Sequence, residues 1–269
     1  MKNKQNLSFV QFAICDFYPS ITKQVLINAL NYAKDITQIT KQEKDIILQT
    51  KSGILFSQDQ AWVKKGNKSF DVTMGSWDGA EVCDLVGLYL LSQLGHLKLN
   101  MGLYRDDGLA VSELGGRQTN LAKKKLCKVF KDNGFNLTFE DDGKCVNYLD
   151  VTFDLEKDIF KPYNKPNHKP IYVHAESNHP PNILKNIPVS VNRRLCSISS
   201  NEEVFNSAIA PFQQGLENSG YSFKLKFTPV SPSEKKPNNR KRNVTYFNPP
   251  FSKNVRTNIG AKFLRLIDK

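Results

Sequence analysis

Two adjacent aspartates, Asp106 and Asp107, are the residues of this chain with the clearest capacity for chemistry. Short apolar runs flank them and Gly108 follows, a pattern that predicts a tight hairpin holding both carboxylates at the edge of a sheet. Carboxylates from separate segments that converge on two divalent ions, about 4 Å apart, catalyse phosphoryl transfer. Asp and Gly are also ordinary turn formers, so an Asx-rich β-turn without chemistry is the alternative interpretation.

A further carboxylate, that of Asp16, comes directly after an apolar run over residues 9–15 that is typical of a buried strand. The stretch DFYPS, which Asp16 opens, favours a turn. If this strand end faces the hairpin, Asp16 supplies a carboxylate from a second segment, as two-metal chemistry requires. Asp16 is therefore a candidate metal ligand by its position in the sequence.

The elements around these acids predict a mixture of helices and strands. Thr22 is the predicted N-cap of a helix with one apolar face, and a second helix is predicted over residues 40–50. Residues 53–71 are typical of a strand pair, and residues 78–99 of a long helix buried on most sides. The acids thus stand in strand ends and turns between helices.

Downstream of the hairpin, Thr119 is the predicted N-cap of a basic amphipathic helix that ends at Asn133, before Gly134. The segments FNLTF and VNYLDVTFDL then indicate strands. After about residue 157, proline and asparagine become frequent, which predicts a separate and less regular module.

The charge balance favours a polyanionic partner. Lysine and arginine number 38 against 26 aspartates and glutamates, which gives a formal net charge of +12. Nucleic acid is a common reason for such an excess. A basic surface without any partner is the alternative.

Cysteine and histidine spacing argues against a metal knuckle or a disulfide framework. The five cysteines are scattered singly, without a C-x-x-C pair, and are expected to be reduced core thiols. The four histidines lack the spacing of a zinc site. Polar residues interrupt the most apolar stretch, residues 82–99, so we expect no membrane partner and an intracellular, soluble protein.

The motifs, taken in order, resemble the palm of reverse transcriptases, most closely those of Penelope-like and related retroelements. YRDD, residues 104–107, resembles the Y-x-D-D catalytic hairpin, and FYPSI resembles the end of the first acidic motif. MGSWDGAEVCDLVGLYLL resembles the glycine-led nucleotide-binding segment, and VNYLDVTF is similar to the primer grip. YNKPNHKPIYVHAESNHPPNILKNIPVSVNRR resembles a region that these elements carry downstream. The resemblance covers residues 9–200 or so.

The resemblance implies an α+β fold, a polymerase palm in which helices back an antiparallel, RRM-like sheet. The palm, with part of the fingers, would occupy residues 1–156, and a mainly helical or irregular thumb-like module residues 157–227. A basic linker over residues 228–243 and a C-terminal helical segment over residues 244–269 would follow. We expect the chain to be truncated at both ends relative to the family, whose fingers lie upstream.

The resemblance also implies an activity, that of an RNA-directed DNA polymerase from a retrotransposon or similar transposable element, acting in the nucleus. It would take an RNA template, a DNA primer and dNTP, with two Mg²⁺ ions as cofactor. Asp106 and Asp107 would be catalytic metal ligands, Tyr18 would screen the sugar, and Gly75 would contact the nucleotide. Asp16 would contact the triphosphate or act as a makeshift ligand. The sequence does not identify protein partners.

One departure from the family pattern bears on activity. In the family the first metal-binding aspartate lies five residues before the aromatic that screens the sugar, and counting back from Tyr18 leads to Ala13. Alanine cannot bind a metal. Two alternatives to an active enzyme therefore stay open: a non-catalytic nucleic-acid-binding remnant, and an unrelated basic protein whose YRDDG is only a turn.

Basic residues of the downstream module are candidates for nucleic-acid binding. They are interleaved with Phe160, Tyr163 and Tyr172, which suits a groove that follows phosphates and stacks bases. The candidates are Lys161, Lys165, Lys169, Arg193 and Arg194. A further basic run, residues 235–242, is either a nucleic-acid or nuclear-localisation patch or a solvated linker.

Overall fold

The computed structural model describes residues 7–63, 69–97, 99–140, 143–229, 263, 265 and 266. They form two compact units, one of Met1–Leu149 with Phe153–Asp158 and one of Asp150–Thr152 with Ile159–Lys269. Most of the expected linker and C-terminal segment, residues 228–269, lies outside the described residues, as does the basic run at 235–242. Residues 263, 265 and 266 are helical.

Nine strands and eight α-helices are described in these ranges. The strands are β1 (Ser8–Ile14), β2 (Leu55–Ser57), β3 (Gln60–Trp62), β4 (Asn100–Tyr104), β5 (Asp107–Ser112), β6 (Leu137–Phe139), β7 (Cys145–Tyr148), β8 (Val151–Asp154) and β9 (Ile159–Pro162). The helices are α1 (Phe17–Ser20), α2 (Lys23–Lys34), α3 (Lys41–Thr50), α4 (Gly79–Ser92), α5 (Gly116–Asp132), α6 (Pro181–Ser197), α7 (Glu202–Ala208) and α8 (Ala210–Asn218).

The first unit is built on a four-stranded sheet with the spatial order β4-β5-β1-β6, and its neighbouring strands are antiparallel. Along β1 the side chains alternate, as a strand requires. Phe12 and Ile14 are buried in a core shared with α2, α4 and α5, whereas Gln11 and Ala13 are half-buried on the other face. The predicted α+β class, an antiparallel sheet backed by helices, is confirmed.

Local signals account for the starts of two helices. The Thr22 side chain accepts a hydrogen bond of 3.2 Å from the backbone N–H of Val25, so it caps α2 as predicted. Thr40 and Glu43 form a capping box at the start of α3. β2 and β3 form the expected strand pair.

The predicted helix over residues 78–99 is too long. α4 ends at Ser92, and a short 3-10 helix, Gly95–Leu97, follows. A glycine inside an α-helix costs about 1 kcal/mol, which favours an end before Gly95. The tighter turn still keeps Leu94 and Leu97 in the core.

The predicted cap of α5 is wrong. The N-cap is Gly115, and Thr119 lies inside the helix with its side chain buried. Its hydroxyl lies 2.9 Å from the hydroxyl of Ser112 and donates to the carbonyl of Leu114. Thr119 therefore fastens α5 to the end of β5, a tertiary contact that local capping rules do not anticipate. The helix does end before Gly134, whose φ is +85°.

The second unit has a core of its own, formed by helices and irregular segments. Leu195, Phe205 and Leu216 are buried at its centre. The irregular segments are held by hydrogen bonds, such as that from the Tyr221 hydroxyl to the carbonyl of Val173. A Cβ at Gly215 would lie 2.5 Å from the carbonyl oxygen of Pro170, so only glycine allows this close approach.

β7, β8 and β9 form a three-stranded sheet in that order. All five cysteines are free thiols, but Cys145 is exposed and is not the core thiol that the sequence predicts. In the described ranges no helix is both long and apolar enough to cross a membrane.

Candidate functional site

The acidic hairpin forms as predicted between β4 and β5. Tyr104 and Asp107 are its last paired residues, and Arg105 and Asp106 are the two residues of the turn. The φ of Arg105 is +56°, the sign that the primed turns of two-residue hairpins require at this place. The turn therefore projects from a rigid antiparallel ladder.

The strand residue opposite the hairpin is Ala13. Its Cα pairs with that of Asp107, and the next backbone N–H, of Ile14, donates to the carbonyl of Asp106 over 2.8 Å. Asp16 lies past the end of β1 with left-handed backbone angles and an exposed side chain. Among the described residues the Asp16 carboxylate makes no hydrogen bond or ion pair. Position 13, and not position 16, is thus the place on β1 beside the acids.

A side chain at position 13 would share a face with Asp107, because directly paired residues of an antiparallel ladder project to the same side. Two divalent ions need several oxygen ligands, and alanine offers none. Within the part of the chain that the structure describes, no group of three His, Cys, Asp or Glu side chains could hold a metal ion. Asp106 and Asp107 alone therefore offer fewer oxygen donors than a two-ion centre needs.

Gly108 has a structural role that the sequence reasoning missed. It pairs with Phe12 across the sheet, and a Cβ at position 108 would collide with the Phe12 ring. Phe12 in turn lies edge-on to Phe130 of α5, with ring centroids 6.0 Å apart. The glycine after the two aspartates thus lets the core close directly behind them.

Two tyrosines flank the hairpin. The Tyr148 hydroxyl donates a 3.0 Å hydrogen bond to the carbonyl of Asp107, and burial raises its pKa. Tyr18, on α1, hydrogen-bonds the thiol of Cys83 on α4, and burial and the thiol together raise the Tyr18 pKa. Burial also raises the pKa of Cys83 to about 11. The Tyr18 hydroxyl and the Cys83 thiol are therefore both neutral near pH 7.

Arg105 is the second residue that the sequence reasoning missed. Its guanidinium carbon lies 5.2 Å from the centre of the Tyr104 ring, and its Nε is buried without a hydrogen-bond partner among the described residues. A guanidinium is always protonated in proteins, and the neighbouring Tyr18 and Tyr104 raise the Arg105 pKa further. The structure thus brings Tyr18, Arg105 and Asp106 into one electrostatic neighbourhood. The signal in the sequence was a basic residue inside an acidic turn.

Gly75 lies in the loop before α4, where its φ of +86° suits glycine. No hydrogen bond joins it to the hairpin within the described ranges. Asp78 holds the N-cap position of α4 but makes no capping hydrogen bond. It pairs instead with Lys51, a lysine only 3% exposed. The negative charge of Asp78 is therefore compensated inside the protein.

The five basic candidates of the second unit are all exposed. Arg194 forms an ion pair with Asp150, whereas the other four have none among the described residues. Tyr172 packs against the core of this unit, so it is not the free stacking surface that the sequence predicts. The four unpaired cations remain open to solvent and to an anionic ligand.

Comparisons with known proteins give structural neighbours only. No family model matches the sequence, and no curated protein matches it. A telomerase from Candida tropicalis, without ligand and truncated from its C-terminal domain, is similar at a TM-score of 0.43 and 10% identity, over 58% of this chain and 35% of that one.

Two further solved structures are an RNA-dependent RNA polymerase at its elongation state and a telomerase in complex with RNA. The BmCPV RNA-dependent RNA polymerase at its elongation state is similar at a TM-score of 0.48 and 10% identity, over 80% of this chain and 20% of that one. Telomerase from Candida albicans, with a fragment of telomeric RNA, is similar at 0.46 and 13%, over 80% and 41%. The chain spans less than half the length of each of these solved proteins.

Proposed function

We propose that this chain is a nucleic-acid-binding polymerase palm of the reverse-transcriptase type that has lost efficient nucleotidyl transfer. The observation that carries the proposal is the pairing of Ala13 with Asp107. The strand, the acidic hairpin and Tyr18, which we propose to screen the sugar, follow the order that the resemblance to a palm implies. What is missing is one carboxylate.

The loss of that carboxylate is a loss of metal affinity and of transition-state stabilisation. Two-metal catalysis places one ion at the attacking oxygen and one at the leaving oxygen, and each ion is worth several kcal/mol. Asp106 and Asp107 would be the ligands of any Mg²⁺ bound here. With two donors the site binds a hard cation weakly, because magnesium sites rely on well-placed oxygens.

Nucleic-acid binding rests on charge and exposure. The net charge is +12, and Lys161, Lys165, Lys169 and Arg193 are exposed without an ion-pair partner in the described part of the chain. Each phosphate contact releases counterions, so binding should weaken steeply with salt. We propose a duplex of RNA template and DNA primer as the ligand.

The remaining parts of the proposal follow from the resemblance. They are an origin in a retrotransposon, a nuclear location, a thumb-like role for the second unit and dNTP as the nucleotide. The domain limits at residues 156 and 227 stay predictions, as does magnesium.

Primer extension and duplex binding, measured on the same preparation, test the proposal. We expect salt-dependent binding of a primer–template duplex and no extension above background by the unaltered chain. We expect Ala13→Asp to gain Mg²⁺-dependent extension, and Ala13→Asn, of similar size but neutral, to gain none. Robust extension by the unaltered chain contradicts the loss of catalysis, and absence of duplex binding contradicts the palm.

A second candidate function is weak nucleotidyl transfer with Asp16 as the third carboxylate. The exposed and unpaired state of Asp16 after β1 favours it. On this reading the unaltered chain extends primers slowly, and Asp16→Asn abolishes that extension while the melting temperature is unchanged. If Asp16→Asn leaves the rate unchanged, this candidate is excluded.

A further inference from the structure

We infer that Arg105 is a phosphate-binding residue, which lets the acidic hairpin hold an anionic ligand without a divalent ion. The inference rests on the proposed function in one respect, that nucleic acid or a nucleotide approaches the hairpin. It assigns a binding role to a residue that the acidic motif itself does not require.

The first observation concerns the hydrogen-bond and ion-pair partners of the Arg105 side chain. A guanidinium carries five N–H donors in a planar fork. Within the described residues it makes no hydrogen bond and no ion pair, and it packs on the face of the Tyr104 ring. Its Nε is shielded from solvent and still has no acceptor. Buried donors usually have a partner, so this N–H is available to an acceptor that approaches the turn.

The second observation is the backbone at Arg105. A φ of +56° lies in the left-handed region, which glycine and asparagine adopt more readily than arginine. The turn itself therefore gains nothing from an arginine. Residues in such unfavourable backbone conformations are concentrated at binding and active sites, which favours a binding role for this side chain.

The third observation is the charge around the turn. The exposed carboxylate of Asp106 repels a phosphate unless a cation lies between the two. In a two-metal site the ions do this, but Ala13 removes a ligand that such ions need. The fixed cation of Arg105 directly precedes Asp106 in the chain and interacts with Tyr18, the residue expected to screen the sugar.

The chemistry of arginine suits this task. Its fork matches the oxygens of a phosphate and can donate two parallel hydrogen bonds, whereas a lysine acts as a point charge. A phosphate at the hairpin could belong to the backbone of a bound strand or to a nucleoside triphosphate. Both share the chemistry that Arg105 recognises.

The test compares three variants of the full chain. Arg105→Gly removes the fork and relaxes the turn, so it should fold at least as well as the unaltered protein. Arg105→Lys keeps the charge without the fork. Arg117→Ala removes one arginine from the exposed first turn of α5 and is the control for net charge. Thermal melting establishes that each variant is folded.

Binding of two probes is measured in EDTA and in Mg²⁺, with a primer–template duplex and with a deoxynucleoside triphosphate. We expect Arg105→Gly to weaken binding of at least one probe in EDTA by about 10- to 100-fold, the usual worth of hydrogen bonds to a charged group. Arg105→Lys should have a smaller effect, and Arg117→Ala an effect of less than about 3-fold.

The pattern identifies the source of the phosphate. A loss confined to the duplex assigns Arg105 to a backbone phosphate, and a loss with the triphosphate assigns it to the nucleotide. If Arg105→Gly binds both probes as Arg117→Ala does, the inference is overturned while the proposed function stands. If the unaltered chain binds neither probe, both are overturned.

Discussion

Two regions of the first unit treat their acidic residues in opposite ways. At the start of α4, Asp78 forms an ion pair with Lys51, a buried lysine directly after α3. The carboxylate of Asp78 is therefore neutralised by a residue of the same unit. At the tip of the hairpin, the exposed Asp106 carboxylate has no hydrogen bond or ion pair within the described residues. The comparison separates an aspartate that serves the scaffold from one that is free to meet a ligand.

The largest expected effect lies in the scaffold region. Asp78→Asn leaves the ammonium of Lys51 buried without a counter-charge, which should lower the free energy of unfolding by about 3 kcal/mol. Denaturant unfolding measures this change. Glu81→Gln, on an exposed residue in the first turn of the same helix, is the matched control and should change stability by no more than about 0.5 kcal/mol. Equal effects of the two variants would show that the Lys51 pair is not structural.

The next effect concerns the sheet beneath the hairpin. Gly108→Ala forces a methyl group into the Phe12 ring, and such overpacking should cost about 2 kcal/mol. Gly102→Ala, on the neighbouring strand, places its methyl in open space and should be close to neutral. Thermal or denaturant unfolding of the pair measures the difference. A Gly108→Ala variant as stable as Gly102→Ala would contradict the close packing of Phe12.

A smaller effect depends on pH. The folded protein raises the Cys83 pKa from 9.0 to about 11, so folding favours the neutral thiol. The stabilisation that this thiol provides is complete below pH 9, the unfolded value, and is lost as pH rises towards 11. We expect a loss on the order of 1 kcal/mol across that window and a flatter profile for Cys83→Ala. Identical profiles would remove Cys83 from the buried scaffold.

The smallest effect is expected at the hairpin tip. Asp106→Asn removes an exposed carboxylate that has no hydrogen bond or ion pair in the described part of the chain, so stability should change by less than about 0.5 kcal/mol. Denaturant unfolding at neutral pH measures it beside Asp78→Asn. A large loss for Asp106→Asn would place this aspartate in the scaffold too and would erase the contrast between the regions.

Local signals were enough for the hairpin, the strand before it and the caps of α2 and α3, because each depends on residues a few positions apart. The features that the sequence did not predict are tertiary. Thr119 is drawn into a bond with β5, and Lys51 reaches a carboxylate 27 positions away. Gly108 is required by a ring on another strand. Rules based on the spacing of residues in the sequence do not predict these contacts.

In the candidate site, too, the sequence predicted one feature and missed another. Counting back from Tyr18 along the pattern of the resembling family led to Ala13, and the register of β1 and β5 brings that position to Asp107. The sequence did not indicate Arg105, because the burial of its Nε without an acceptor among the described residues is a property of the folded structure. An unsatisfied side chain becomes visible only when its surroundings are known.

The most direct test of the account asks whether position 13 is the missing metal ligand. In EDTA, Ala13→Asp should melt at a lower temperature than the unaltered chain, because the new carboxylate lies directly opposite that of Asp107 and like charges opposite each other destabilise a ladder. Saturating Mg²⁺ should restore its stability, by about 2.7 kcal/mol at a hundred times the dissociation constant, and should leave Ala13→Asn and the unaltered chain almost unchanged. An equal response of all three proteins to Mg²⁺ would contradict the account.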